Sequence, residues 1–151
     1  MYSVDNAEIA LHAREIIKQN GLSHKITVFK GKMEEIDFPF KEGEVDIIVS
    51  EWMGYYLLYE SMLDCVLWAR DKYLKKGTGK MLPDRAQLYV AAIEDSEYMG
   101  DKANFWRNVY GVDMSVMSKG LWRDPVVDKV EATALMSDSC CILDIDLVNM
   151  K

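Results

Sequence analysis

The sequence predicts an α/β protein with parallel strands, and three stretches carry that expectation. Tyr2-Ser3-Val4-Asp5-Asn6 reads as the end of a strand that runs straight into a helical pattern. Lys25-Ile26-Thr27-Val28-Phe29 is β-rich and reads as a second, buried strand. Val45-Asp46-Ile47-Ile48-Val49 is short, β-branched and bounded by charge, the pattern of a strand buried in a parallel sheet. Ligands of open α/β sheets bind beyond the carboxyl ends of such strands, so the loops there are the expected site.

The bulk numbers fit a globular protein. The 151 residues are 50% hydrophobic and 11% aromatic, enough to bury a core as one domain and too apolar for a disordered chain. No run approaches the roughly 20 apolar residues that a membrane helix needs, and no secretory signal opens the chain. Three cysteines, two adjacent at Cys140 and Cys141, offer neither a disulfide framework nor a metal spacing. Buried thiols in a reducing compartment are expected. His12 and His24 have no partner spacing and are read as surface residues. A net charge of −7 argues against nucleic acid as the main ligand and suits basic polypeptides.

Taken in order, the first strand leads into a helix from Ala7 to about Asn20, capped by Asp5 or Asn6 and stopped by Gly21. Ile9, Ala13, Ile16 and Ile17 share its apolar face. An acidic residue at a strand tip is where dinucleotide-type folds hold ribose hydroxyls, so Asp5 has two readings, cap and ligand. After the second strand, Lys30 to Ile36 forms a loop. A helix from about Ser61 to Leu74 presents Met62, Cys65, Val66 and Ala69 as its stripe and ends at Lys75-Lys76-Gly77. Leu82-Pro83-Asp84-Arg85 reads as a junction, and Ala86 to Ile93 as a strand. From Asp95 to about Pro125, large apolar residues are scattered among charges and short helix signals, a composition that marks an interface. Cys141, Leu143, Ile145 and Leu147 alternate with a face carrying Asp144 and Asp146, a half-buried antiparallel strand.

The third predicted strand leads into Ser50-Glu51-Trp52-Met53-Gly54-Tyr55-Tyr56-Leu57-Leu58-Tyr59-Glu60-Ser61-Met62. Glu51 and Glu60 are nine residues apart, a spacing that fits neither a helix face nor a strand face. A hairpin at Gly54 would bring them together. Two ionised carboxylates side by side repel unless a cation lies between them. A guanidinium fits best, being planar, always charged and rich in donors, and Trp52, Tyr55, Tyr56 and Tyr59 would wall it. Spacing alone does not choose between this clamp and two surface glutamates beside an aromatic turn.

Ser50-Glu51-Trp52-Met53-Gly54-Tyr55, followed by Tyr59-Glu60-Ser61-Met62-Leu63, closely resembles the double-glutamate loop of protein arginine methyltransferases. The Gly54-Tyr55 and Glu60-Ser61-Met62 details resemble the type I class, which makes monomethyl- and asymmetric dimethylarginine. The resemblance implies that Glu51 and Glu60 are catalytic and that the cofactor is S-adenosylmethionine, leaving as S-adenosylhomocysteine. It assigns Asp5 to the ribose, Met33 to the side of the adenine ring, Glu34 to the adenine amine and Met62 to a further cofactor contact. No metal is implied. Arginine-rich proteins, including glycine-arginine-rich proteins and histones, are the implied substrates, in the cytoplasm, the nucleus or both.

The resemblance also implies a domain plan. Residues 1–82 would be the C-terminal part of a Rossmann-like cofactor-binding domain, and 83–151 the start of a β-barrel substrate domain. Phe105-Trp106, Asn108-Val109-Tyr110-Gly111 and Asp113-Met114-Ser115 resemble the family's helical dimerisation arm. That implies a homodimer through residues from about 95 to 125, with Phe105, Trp106 and Trp122 as the expected anchors. The family's glycine-rich turn, lid tyrosines and Thr-His-Trp segment have no counterpart in these 151 residues. The chain is therefore expected to be a fragment inactive by itself. A non-catalytic dimerisation module derived from such an enzyme is the competing reading, and a methyltransferase for another cationic substrate a third.

Overall fold

The computed structural model describes residues 1–123 and 125–150, without the side chains of Met99 and Trp122. The expected interface anchor Trp122 thus lies, as a side chain, outside the described residues. The elements in order are β1 (Tyr2–Asp5), α1 (Ile9–Gln19), β2 (Thr27–Lys30), β3 (Ile47–Val49), α2 (Leu63–Tyr73), β4 (Lys80–Leu82), β5 (Arg85–Val90), α3 (Ser96–Lys102) and β6 (Cys140–Asp146). Short 3₁₀ turns sit at Met33–Glu35, Asn104–Arg107, Ser115–Ser118, Leu121–Arg123 and Ala132–Ala134. The protein is α/β. It divides into two compact units, Met1–Ala86 with Ile145–Lys151, and Gln87–Asp144.

In the first unit β1 pairs in parallel with β2, Tyr2 opposite Thr27 and Asp5 opposite Lys30. β3 pairs in parallel with β4, Ile47 opposite Lys80 and Val49 opposite Leu82. These are separate two-stranded sheets. The expected double burial of β3 is not found: Ile47 is 52% and Val49 75% exposed. A parallel strand is buried on both faces only where other elements cover both, and here only one face is covered.

Helix α1 is capped by Asn20 and stopped by Gly21, whose φ of 69° is the left-handed conformation glycine adopts without strain. Its expected apolar face is shifted. Ala10 is buried with Ala13 and Ile17 half-buried, whereas Ile9 and Ile16 are exposed. Small residues let the helix lie close to β2, where Arg14 Nε donates to the Val28 carbonyl at 3.0 Å. The expected cap differs too. Glu8 occupies the N-cap position without a side-chain bond. Asp5 Oδ1 instead accepts from the Ala7 N–H at 2.7 Å, closing the turn before the helix.

Val66, Ala69, Arg70 and Tyr73 form the buried face of α2, while Cys65 is half-buried and Met62, just before the helix, is 43% exposed. Trp52, Met81 and Leu147 are the largest fully buried side chains, each stabilising by roughly 1.5–3 kcal/mol. Arg70 is buried by a specific arrangement. Its Nη1 donates to the Leu147 carbonyl at 2.6 Å, and its Nη2 lies 2.7 Å from Asp71 Oδ1. The last residues are thereby tied to α2. Asp146 closes the turn after β6, and bonds from the Asn149 side chain and backbone hold its carboxyl below the usual carboxylate range.

The second unit has a different character. β5 and β6 pair, and Gln87 Nε2 donates to Asp144 Oδ2 at 3.0 Å across them. An antiparallel bridge joins Ile93 to Leu135. Expected strand bounds move slightly, to Arg85–Val90 and Cys140–Asp146. Contrary to expectation, Cys140 and Cys141 are exposed, because inward alternation begins only at Leu143. Among the described residues every fully buried apolar side chain belongs to the first unit. The segment of short helical turns exposes Phe105, Tyr110, Val116 and Met117, and half-buried Trp106 meets Phe105 edge-on at 5.2 Å.

Candidate active site

The carboxyl end of β3 runs into the two-glutamate loop. Ser50 N–H still bonds to the Leu82 carbonyl at 3.0 Å, so Glu51 is the first residue free of the sheet. The chain then folds back. Gly54 N–H donates to the Leu57 carbonyl at 3.0 Å, and Tyr59 N–H to the Tyr55 carbonyl at 3.1 Å. Tyr56, Leu57 and Ser61 have φ of 53°, 65° and 55°, unusual for residues with a side chain. Such strain, on the order of 1 kcal/mol each, persists where the surrounding contacts leave no alternative.

Glycine makes the return possible. A Cβ on Gly54 would fall 2.6 Å from Glu60 Cγ, so Glu60 packs directly on the Gly54 backbone, three residues after Glu51. Both glutamates are exposed, and among the described residues neither has an ion pair. The loop thus offers two free carboxylates near one strand end. That set attracts a fork-shaped cation.

The aromatic wall is only partly as expected. Tyr55 and Tyr59 are exposed with ring centroids 6.4 Å apart, and Tyr56 is 76% exposed. Trp52 is core, 1% exposed, and so is no wall of an open site. Its Nε1 and the Ser50 Oγ are buried without a hydrogen-bond partner among the described residues. Leaving them so costs about 1–3 kcal/mol each.

The other expected site residues also lie in the first unit. Asp5 stands exposed at the end of β1, with Oδ1 engaged by Ala7 and Oδ2 free of the described bonds. Met33 is half-buried and Glu34 exposed on the turn after β2, which packs against α2. Met62 is exposed at the start of α2. Sequence reasoning missed one neighbour of this group, Cys65. Burial first, then a hydrogen bond to Glu34 and the charge of Glu34, push its thiol up to about 11. Helical spacing from Met62 to Cys65 was the available signal, since residues three apart share a face.

Known proteins resemble the chain along its whole length. A family model described as the arginine methyltransferase oligomerization subdomain matches residues 84–151. Protein arginine N-methyltransferase 1 of Schizosaccharomyces pombe is 53% identical over 151 residues, 100% of this chain and 44% of that protein. The Dictyostelium discoideum protein of the same name is 50% identical over 147 residues, 97% of this chain and 42% of its own length. The chain thus spans less than half the length of these curated relatives. Among solved structures, the Trypanosoma brucei PRMT1 enzyme-prozyme heterotetrameric complex with AdoHcy matches with a TM-score of 0.82 at 42% identity, over 99% of this chain and 46% of that one. Arabidopsis thaliana protein arginine methyltransferase 10 matches with a TM-score of 0.73 at 32% identity, over 99% of this chain and 48% of that one.

Proposed function

Since the chain belongs to the protein arginine methyltransferase family, we propose that the protein carrying it transfers methyl groups from S-adenosylmethionine to arginine side chains in proteins. The product pattern proposed is type I, monomethyl- and asymmetric dimethylarginine. The observation that carries this reading is the packing of Glu60 on Gly54, which returns a second free carboxylate toward the strand end that bears Glu51. Substrates are arginine-rich proteins, such as glycine-arginine-rich proteins and histones, whose charge complements a chain of net −7. The cytoplasm or the nucleus is the proposed compartment.

Glu51 and Glu60 hold the guanidinium by charge-assisted hydrogen bonds from its N–H groups. By drawing the positive charge to one side, they leave the lone pair of the target nitrogen freer to attack. Holding that nitrogen in line is the larger part of the rate gain, together with fixed charges that need no reorganisation. The cofactor supplies the methyl group, on a sulfonium that departs as a neutral thioether. The donor set in the first unit fits it: Asp5 Oδ2 is free to accept from ribose hydroxyls, and Met33 and Met62 can pack beside it. The exposed Glu34 carboxylate, engaged by Cys65, keeps further lone pairs to accept from the adenine amine. In this reading the parallel pairs are part of a Rossmann-like cofactor domain, residues 1–82. Residues 83–151 begin a β-barrel domain, and the segment at about 95–125 is the arm of a homodimer. The apolar side chains exposed there support the arm.

The test is methyl transfer to an arginine-glycine peptide by the protein carrying this chain, with Glu51→Gln and Glu60→Gln compared to the parent. Losing one side of the clamp costs several kcal/mol, so kcat should fall by about 10²-fold or more. Near-normal turnover in either variant removes the clamp. A second reading, a non-catalytic interaction module, is favoured by the match of 84–151 to an oligomerization subdomain. Calorimetry with S-adenosylmethionine separates the two, since such a module binds none.

A further inference from the structure

We propose that a groove beside the Met33–Glu35 turn, apart from the two-glutamate loop, binds a cationic polypeptide segment. The groove encloses about 510 Å³, and its lining includes Asp37, Phe38, Phe40, Glu42, Lys72 and Tyr73.

Its wall is aromatic and fixed. Phe38 stacks on Phe40 with centroids 4.9 Å apart, and each meets Tyr73 edge-on at 5.3 Å. Phe29 and Tyr2 extend the same cluster, at 5.2 Å from Phe38 and 5.0 Å from Phe40. Rings locked in this way bind without losing rotamer freedom, which lowers the cost of association. The cluster already holds one cation of its own. Lys72 Nζ lies 4.7 Å from the Trp68 centroid and 5.1 Å from that of Tyr73, within cation–π range.

The charge on the lining decides the occupant. Glu34, Glu35, Asp37 and Glu42 face Lys41 and Lys72, an excess of two negative charges. Glu34 is engaged by Cys65, and Glu35 pairs with Lys32 at 3.6 Å. Asp37 and Glu42 are exposed and have no ion pair among the described residues. An acidic segment or a nucleic-acid backbone is repelled by this rim. A neutral apolar segment would strip water from the carboxylates and return nothing. A segment carrying lysine or arginine satisfies both features, charge on the rim and alkyl stem or guanidinium plane on the rings.

The inference rests on the proposed arginine methylation only for its use. There it gives a substrate rich in basic residues a second foothold, so that its local concentration at the two-glutamate loop rises. Cation binding by the groove does not depend on that activity.

The test is fluorescence anisotropy of the full chain with a fluorescein-labelled lysine–glycine repeat peptide, which contains no arginine to methylate. Binding is expected to weaken with salt and to fall about three- to tenfold in the Asp37→Asn/Glu42→Gln double variant. Both side chains are exposed, so neither change disturbs the core. Glu97→Gln/Asp101→Asn on α3 removes the same charge elsewhere and should leave the affinity unchanged. No binding of the lysine peptide, equal affinity in the groove variant, or an equal loss in the α3 variant overturns the proposal. Loss of arginine methylation with lysine-peptide binding intact counts against the activity alone, and the reverse counts against the groove alone.

Discussion

Gly54 and Glu60 touch so closely that one added carbon does not fit between them: a Cβ on Gly54 would stand 2.9 Å from the Glu60 backbone nitrogen. The position of the second carboxylate therefore depends on a residue that carries no chemistry. Gly54→Ala forces the backbone of the loop apart, since a main-chain atom cannot step aside as a flexible side chain can. In the protein carrying this chain, methyl transfer should drop by about tenfold or more, because small misplacements at a reacting centre are costly. Normal kcat in that variant shows that the contact does not position Glu60.

Arg70 is the second test, and it concerns stability alone. Arg70→Met keeps the apolar stem and removes the donor, leaving the Leu147 carbonyl without its partner in a residue that is 0% exposed. The expected loss is about 1–3 kcal/mol, read from urea unfolding. A change under about 0.5 kcal/mol, the scatter of surface substitutions, shows that the tie contributes little.

The Cys65 thiol gives a pH-dependent prediction. Its value rises from 9.0 to about 11, so the folded chain keeps a proton that the unfolded chain releases first. This group's contribution to stability is full below about pH 9 and is lost as pH climbs toward 11. At pH 8, iodoacetamide should label Cys65 on the order of 100-fold more slowly than an ordinary thiol, with the thiolate as the reacting form. Mass spectrometry reads this against exposed Cys140 and Cys141. Glu34→Gln should speed the labelling of Cys65, because it removes a negative charge that opposes the thiolate. Equal labelling of all three cysteines contradicts the assignment.

The exposed residues of the second unit give the last prediction. Phe105 is 54% exposed and Tyr110 fully exposed, so Phe105→Ser/Tyr110→Ser should leave the melting temperature of the isolated chain unchanged. In the assembled protein the same pair should shift sedimentation toward monomer, as large aromatics dominate interface energetics. An unchanged oligomer shows that self-association uses another surface.

Much of this was legible in the chain itself. Strand β1, helix α1 with its glycine stop, and strand β2 follow from local composition, because turn and cap chemistry acts over a few residues. The pair Glu51 and Glu60 was visible for the same reason, being carried by one continuous motif. What depended on distant partners was not. Ile9 and Ile16 look like core residues at helical spacing, yet α1 packs through Ala10 because β2 lies close. Trp52 looks like a wall of the site and is a floor of the core. Arg70 reads as a polar residue near a helix end, and only the returning segment beyond Ile145 explains its burial. The Phe38–Phe40–Tyr73 cluster joins residues more than thirty positions apart, which no local pattern reports.

The return of residues after Ile145 to the first unit also has a consequence for how the chain reaches its fold. Ile145 and Leu147 are core residues of a unit whose other buried apolar residues, among those described, all lie before Gln87. On the ribosome that core must wait, incomplete, while the whole of Gln87–Asp144 is synthesised. Closing so long a loop is entropically costly and raises the contact order, which slows the final step of folding. Until Leu147 arrives, the apolar surface it covers stays open to chaperones and to neighbouring nascent chains.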